Sequence, residues 1–158
     1  MTITNSDLTN NDVDGGAGTP NPGNGGALHI SGVTTTIISG GTASGNDARR
    51  EGGALWNQTG STMSVTNLTV DNNTASGPDA AHGGGGIFNN GGTLNLNNST
   101  LSNNISDGAL GNGGGLHVKT GTVNVMLTTF SGNTSANHGG GIYNNDMLFV
   151  NAVTIANN

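Results

Sequence analysis

The sequence contains no cysteine, so neither a disulfide framework nor a thiolate metal site can hold this chain together. Strong cations are scarce as well, because Arg49, Arg50 and Lys119 are the only Arg or Lys residues and the formal net charge is -6. So little positive charge cannot neutralise many phosphates, and nucleic acid is therefore not an expected partner. No run approaches the roughly 20 apolar residues of a membrane-spanning helix, and no membrane insertion is expected.

Charged and aromatic residues are also few, at 8% and 3% of the chain, and only 31% of the residues are hydrophobic. Thirty glycines in 158 residues would be compatible with disorder. Disordered chains, however, usually carry many charges and lack regularly placed aliphatic residues. The regular spacing described next predicts a folded chain with one core.

A short glycine motif occurs five times. Each copy has two or three small residues, then one aliphatic residue and one ring-bearing residue, and the copies lie at residues 25–29, 52–56, 84–88, 113–117 and 139–143. The aliphatic positions are separated by 27, 32, 29 and 26 residues. A recurring interval of this size is typical of solenoids and other repeat architectures.

Two further features recur with the same period. Short runs of alternating apolar residues, the signature of half-buried strands, lie at residues 1–3, 63–65, 94–96, 123–125 and 148–150. A third apolar position is followed three residues later by asparagine in all six copies, at Asn11, Asn46, Asn73, Asn104, Asn133 and Asn158. The pattern predicts one all-β domain over residues 1–158, a parallel β-helix (β-solenoid) of about five coils of 26–32 residues with three short strands per coil.

Two motif types resemble a known repeat. Gly-Gly-Ala-Leu at residues 25–28 and 52–55, with Phe130-Ser131-Gly132-Asn133, resembles the GGA[ILV] and FxxN motifs of polymorphic outer membrane protein repeats and autotransporter passengers. Residues 140–144 and 99–103 are similar to the GGGIxN and STLSxN repeats of bacterial right-handed parallel β-helices. The resemblance implies a right-handed coil and an extracellular or bacterial cell-surface location, often with an adhesive role.

The repeated asparagines are interpreted as a structural ladder at a tight corner, because asparagine tolerates left-handed backbone and its amide can bond to the same residue one coil away. The variable lengths fall between this asparagine and the next glycines, which predicts loops along one edge. The rings should point away from the core if the preceding aliphatics point inward. This outward column is a candidate ligand surface or a stabilising aromatic ladder, formed by His29, Trp56, Phe88, His117 and Tyr143.

Hydroxyl residues flank the third apolar position and suggest an alternative surface, a flat face that could bind ice, although threonine is also a good strand residue. Its members are Thr42, Ser44, Thr69, Thr100, Ser102, Thr129 and Ser131, with Asp71 and Ala156 interrupting the grid. Polysaccharide binding or degradation is a further alternative. The chain offers no recognisable set of nucleophile, base and orienting residue, so no catalytic residue and no cofactor are assigned, and Asp12 with Asp14 is only a weak calcium pair.

The sequence therefore favours a non-enzymatic structural or adhesive module. The last run, at residues 148–150, falls in the same register as the first, and no capping helix or charged cap is visible at either end. This predicts either a segment of a longer solenoid or a subunit that stacks end to end into fibres. The expected partner is a second copy of the chain, or a surface glycan or protein.

Overall fold

Parallel β-strands stacked as a solenoid make up the structure. A computed structural model describes residues 1–13 and 23–158, and within these ranges every strand pairing is parallel and no helix occurs. The strands are β1 (Thr2–Thr9), β2 (Asp12–Val13), β3 (Leu28–Ile30), β4 (Thr35–Ser44), β5 (Asp47–Ala48), β6 (Leu55–Gln58), β7 (Thr62–Thr66), β8 (Thr69–Asp71), β9 (Thr74–Ala75), β10 (Ile87–Asn97), β11 (Thr100–Ser102), β12 (Ile105–Ser106), β13 (Leu116–Met126), β14 (Thr129–Ser131), β15 (Thr134–Ser135), β16 (Ile142–Asn144), β17 (Met147–Asn151) and β18 (Thr154–Ala156). The predicted all-β solenoid is confirmed.

The sequence period sets the register of the stack. Leu28 pairs with Leu55, Leu55 with Ile87, Ile87 with Leu116 and Leu116 with Ile142. These pairs join the five glycine motifs through about four full turns, with partial turns beyond them, rather than the five coils expected. The hand of the coil stays a prediction from the resemblance.

A short strand that the sequence pattern did not predict occurs five times along the coil. The additional strands contain two residues each and directly follow the repeated asparagine, as β2, β5, β9, β12 and β15, and they form a separate five-stranded sheet. Two residues are too few to show a period of two, so the sequence pattern assigned them to the variable loops. The other thirteen strands form the second sheet.

The core is a set of aliphatic columns inside the coil. Val65, Leu96 and Val125 stack in one column, since β7, β10 and β13 pair in that register, and all three side chains are buried. Parallel strands with this alternation bury one face only. The outward residues of the same strands remain at the surface, which leaves flat faces on the solenoid.

One corner of the coil is lined by left-handed residues. The position after β7 and its equivalents have φ between 44° and 72° in every described turn, and they are Asn5, Gly40, Asn67, Asn98, Leu127 and Ala152. Asparagine and glycine adopt this conformation at low cost, whereas other L-residues pay a steric penalty. Leu127 and Ala152 are therefore the two residues of this corner that are poorly suited to a left-handed backbone.

Leu127→Asn is expected to stabilise the protein by about 1 kcal/mol, because it relieves the left-handed strain at an exposed position. Thermal unfolding of the variant measures the effect. Ile105→Asn is the control, since Ile105 is also exposed but has no positive φ. A melting temperature of Leu127→Asn at or below that of the parent would contradict the assignment of strain to this corner.

Candidate functional site

The five ring residues form a column one residue beyond an aliphatic column. His29 stacks on Trp56 with ring centroids 4.1 Å apart, and His117 makes edge contacts with Phe88 at 4.7 Å and Tyr143 at 4.9 Å. These contacts follow from strand register, which pairs each ring residue with its equivalent one coil away. Side chains in such a column support one another across the sheet.

The expectation that all five rings face solvent is wrong for the middle of the column. Trp56 is 5% exposed, and Phe88 and His117 are 0% exposed, while His29 is exposed and Tyr143 half-buried. Alternation does direct these rings away from the aliphatic core. They are nevertheless buried because Glu51 and His82, from the segments before the second and third glycine motifs, lie against the column.

Two contacts identify this cover, and a cation–π contact from Lys119 of β13 adds to it. The indole Nε1 of Trp56 donates a 3.0 Å hydrogen bond to Oε2 of Glu51, and Nδ1 of His117 lies 3.2 Å from the carbonyl oxygen of His82. The ammonium group of Lys119 lies 5.9 Å from the centre of the Phe88 ring. The ring column is thus an inner layer between the core and the loops.

A cluster of charged and titratable groups lies within the cover. Both Nε and Nη2 of Arg50 lie within hydrogen-bond distance of Nε2 of His82, at 3.2 Å and 2.7 Å. Oε1 of Glu51 is 3.8 Å from the same nitrogen, and Oδ2 of Asp79 is 3.7 Å from Nδ1. Burial lowers the pKa of His82 below 6.5, opposed by Glu51 and reinforced by Arg50.

The repeated asparagines form a continuous hydrogen-bonded column at one corner of the coil. Each Nδ2 donates to Oδ1 of the next asparagine at 2.7–2.9 Å, through Asn11, Asn46, Asn73, Asn104, Asn133 and Asn158. Each Oδ1 also accepts the backbone N–H of the preceding member at 3.0–3.1 Å. The four inner members are at most 1% exposed, and the bonds that join them to one another are buried.

The predicted hydroxyl residues lie in two columns on either side of the third core position. One column contains Thr42, Thr69, Thr100 and Thr129, and the other Ser44, Asp71, Ser102 and Ser131. The carboxylate of Asp71 accepts hydrogen bonds from Ser102 Oγ at 2.6 Å and Asn103 Nδ2 at 3.0 Å. Hydroxyl spacing on this face is therefore interrupted by a charged, internally bonded group.

Asp12 is exposed on β2 and pairs in register with Asp47 on β5. Asp14, the second residue of the predicted calcium pair, lies outside the described residues. Within the described ranges, no group of three or more His, Cys, Asp or Glu side chains is placed to hold a metal ion. Nor does any helix there have the length and apolarity needed to cross a bilayer.

One family model matches the chain, on a segment that begins at the left-handed corner and runs through β14, β15 and β16. Residues 127–145 match the Chlamydia polymorphic membrane protein (Chlamydia_PMP) repeat. The matched segment contains the FxxN sequence at residues 130–133 and the last glycine motif. Comparisons with curated proteins and with solved structures gave no match.

The Chlamydia_PMP match agrees with the repeat type that the sequence motifs resemble, and it covers residues 127–145 of 158. A repeat of polymorphic membrane proteins and a β-solenoid fold together indicate a surface or adhesin-like repeat module.

A second buried polar network, which the sequence pattern did not predict, lies at the position after the ring. Asn57 and Asn89 are fully buried, and Nδ2 of Asn57 donates to Oδ1 of Asn89 at 2.8 Å. Ser61 Oγ donates to Oδ1 of Asn57 at 2.6 Å, and Asn89 Nδ2 reaches two backbone carbonyls. Asparagine follows the ring in three of the five copies, whereas Ile30 and Val118 take this position in the other two, so no full sequence column revealed the network.

An exposed apolar patch, which no sequence pattern indicated, lies on the last two described turns. Met126, Met147 and Phe149 lie on the outer face of β13 and β17 and are 44%, 52% and 59% exposed. Thr122 and Asn124 occupy the columns of Met147 and Phe149 one turn earlier. In these two columns, the outer face of the sheet therefore changes from polar to apolar between β13 and β17.

The buried imidazole of His117 predicts a pH-dependent stability. Burial lowers its pKa to about 4, although the hydrogen bond with the His82 carbonyl opposes the shift. Between pH 6.5 and pH 4 the unfolded chain therefore binds more protons than the folded chain. The stability that neutral His117 contributes is complete above pH 6.5 and is lost as the pH falls. From pH 7 to pH 5, the free energy of unfolding is expected to drop by about 2 kcal/mol.

Urea unfolding at the two pH values measures this drop. In His117→Phe, which places another ring in the column, the drop is expected to be much smaller. An equal drop in the parent and the variant would contradict the assignment to His117.

Proposed function

We propose that this chain is a non-enzymatic, extracellular structural or adhesive module, a rigid solenoid that displays its outer faces at a bacterial cell surface. The observation that carries the proposal is the match of residues 127–145 to the Chlamydia_PMP repeat, because that segment covers a corner, a loop and the next glycine motif of the coil.

The packing roles of the repeated residues support a scaffold function. Inner asparagines bond to one another, the core aliphatics are buried, and three of the five rings lie under loops. Residues that recur in every turn therefore serve the stacking of turns. Residues that contact a partner are expected among the outward side chains, which differ from turn to turn.

The apolar patch of Met126, Met147 and Phe149 is the best candidate for an adhesive surface. Large apolar side chains grouped on a flat sheet face are typical of protein interaction sites. Their exposure contrasts with the threonine and asparagine residues of the same columns in the neighbouring turn. The contact is assigned to a protein or glycan with an apolar face.

Beads coated with the 158-residue chain, applied to cell monolayers and to a glycan array, test the proposal. The double variant Met147→Thr and Phe149→Asn restores the residues of the preceding turn and is expected to abolish most of the binding. Thr62→Ala with Ser64→Ala alters the same sheet face three turns away and should bind as the parent does. Unchanged binding by the patch variant would overturn the assignment of the surface.

We also propose a second copy of the chain as a partner, stacked end to end. Aliphatic columns remain open at both ends of the described solenoid, where Ile3, Leu8 and Leu28 are only partly buried and Val150 and Ile155 are exposed. Placed one coil apart, the strand register would set Val150 over Ile3 and Ile155 over Leu8 of the next copy. Light scattering over a concentration series should reveal growing species that Ile155→Asp suppresses, and a strictly monomeric parent would contradict the stacking.

A further inference from the structure

The loop of residues 76–83 contacts the ring column through His82, and two further bonds, from Asn112 Nδ2 to the Ala80 carbonyl and from the Gly52 N–H to the Gly83 carbonyl, tie it to neighbouring turns. His82 is 4% exposed, although Pro78, Asp79, Ala80 and Ala81 before it are at the surface. Its carbonyl oxygen accepts bonds from the backbone N–H of Asn112 at 3.2 Å and from Nδ1 of His117. Its imidazole contacts Arg50 on the preceding turn, so His82 joins three successive layers of the solenoid.

The Arg50 contact opposes protonation of His82 at Nε2. A guanidinium carries only donors, so the two Arg50 nitrogens at 3.2 Å and 2.7 Å require a lone pair on Nε2 of His82. A proton on Nε2 would place two donors and two positive charges face to face. The backbone N–H of Asp79 lies 3.3 Å from Nδ1, so both ring nitrogens face donors and the arrangement disfavours a second proton on the ring.

We propose that residues 76–83 form an acid-sensitive latch, in which protonation of His82 at Nε2 breaks its hydrogen bonds with Arg50 and frees the imidazole, while the bonds of the Ala80 and Gly83 carbonyls hold the loop in place. Protonated His82 can turn towards the carboxylate of Glu51, whose Oε1 is 3.8 Å from Nε2. Glu51 already accepts a bond from the indole of Trp56, so the change at His82 reaches the ring column directly.

The other charged groups around His82 shift its pKa in opposite directions. Asp79 on the loop and Glu51 beside it favour the protonated ring, whereas Arg50 and Lys119 disfavour it. Burial also disfavours the protonated ring, so the release is expected below pH 6.5. His117 is the other titratable ring in contact with the loop, through the His82 carbonyl, and its role has to be separated by experiment.

Trp56 supplies the readout because it is the only tryptophan of the chain and its indole is bonded to Glu51. Acidification from pH 8 to pH 4.5 is expected to shift its emission to longer wavelength and to raise acrylamide quenching several-fold. Far-UV circular dichroism, recorded in parallel, should show that the solenoid remains folded through this transition.

Three variants decide the assignment. His82→Gln keeps an acceptor for Arg50 but cannot take up a proton, so its Trp56 emission should stay constant over the same range. His82→Ala should show the shifted emission at every pH, and His117→Phe should retain the transition. A parent without a transition, a transition that persists in His82→Gln, or one that vanishes only in His117→Phe would each overturn the proposal.

Discussion

Replacing Asn104 with leucine is expected to lower the free energy of unfolding by about 4 kcal/mol. Oδ1 of Asn104 accepts both the backbone N–H and Nδ2 of Asn73, and its own Nδ2 donates to Asn133 Oδ1 and to the Val70 carbonyl. Leucine has a similar volume but satisfies none of these groups. The N–H of Asn73 would then be left in a buried corner without the acceptor it has here.

Asn124→Ala is the matched control for this change. Asn124 Nδ2 also donates to an asparagine of the neighbouring turn, Oδ1 of Asn95 at 2.9 Å, but this pair is exposed. Water replaces the lost partner there, so the expected cost is within about 0.5 kcal/mol. Urea unfolding of both variants measures the difference, and equal costs would contradict a stabilising role for burial of the column.

Replacing Gly85 with alanine is expected to be at least as damaging, with a loss of about 4 kcal/mol or more. A Cβ at this position would overlap the carbonyl oxygen of Ile105 and lie 2.6 Å from the carbonyl oxygen of Gly114. Both neighbours are backbone atoms held by interstrand hydrogen bonds, so neither can move aside without separating two turns. The middle glycine of the motif thus permits close contact between coils.

Gly32→Ala separates this overlap from the general effect of removing a glycine. Gly32 has φ of 81° and no atom within 4 Å of an added Cβ, so alanine there introduces only left-handed strain of about 1 kcal/mol. Denaturant unfolding of the two variants provides the comparison. If Gly85→Ala lost no more stability than Gly32→Ala, the close contact between turns would not be the reason for this glycine.

The fold could be predicted because it depends on spacing. A recurring aliphatic such as Leu55 or Ile87 must occupy the same place in every turn, and parallel register then fixes its neighbours. The two-residue strands could not be predicted, since their pairing depends on backbone already aligned by the preceding asparagine. Asn57 and Asn89 likewise reveal their pairing only in three dimensions.

The ring column shows where prediction from alternation ends. Alternation correctly separates Trp56 and Phe88 from the aliphatic core, because neither is part of that cluster. It says nothing about what covers the outer side. Burial there depends on contacts of Glu51 and His82 from variable loops, which have no period and therefore leave no repeating signal.

Hydrogen exchange of asparagine side-chain amides, followed by NMR, tests the central claim that the repeated residues are used to stack the turns. The Nδ2 protons of Asn46, Asn73, Asn104 and Asn133 are expected to exchange orders of magnitude more slowly than those of Asn98 and Asn124, which bond to asparagines at the surface. Exchange of the four inner amides at the rate of the two exposed ones would contradict a buried asparagine column and the scaffold built on it.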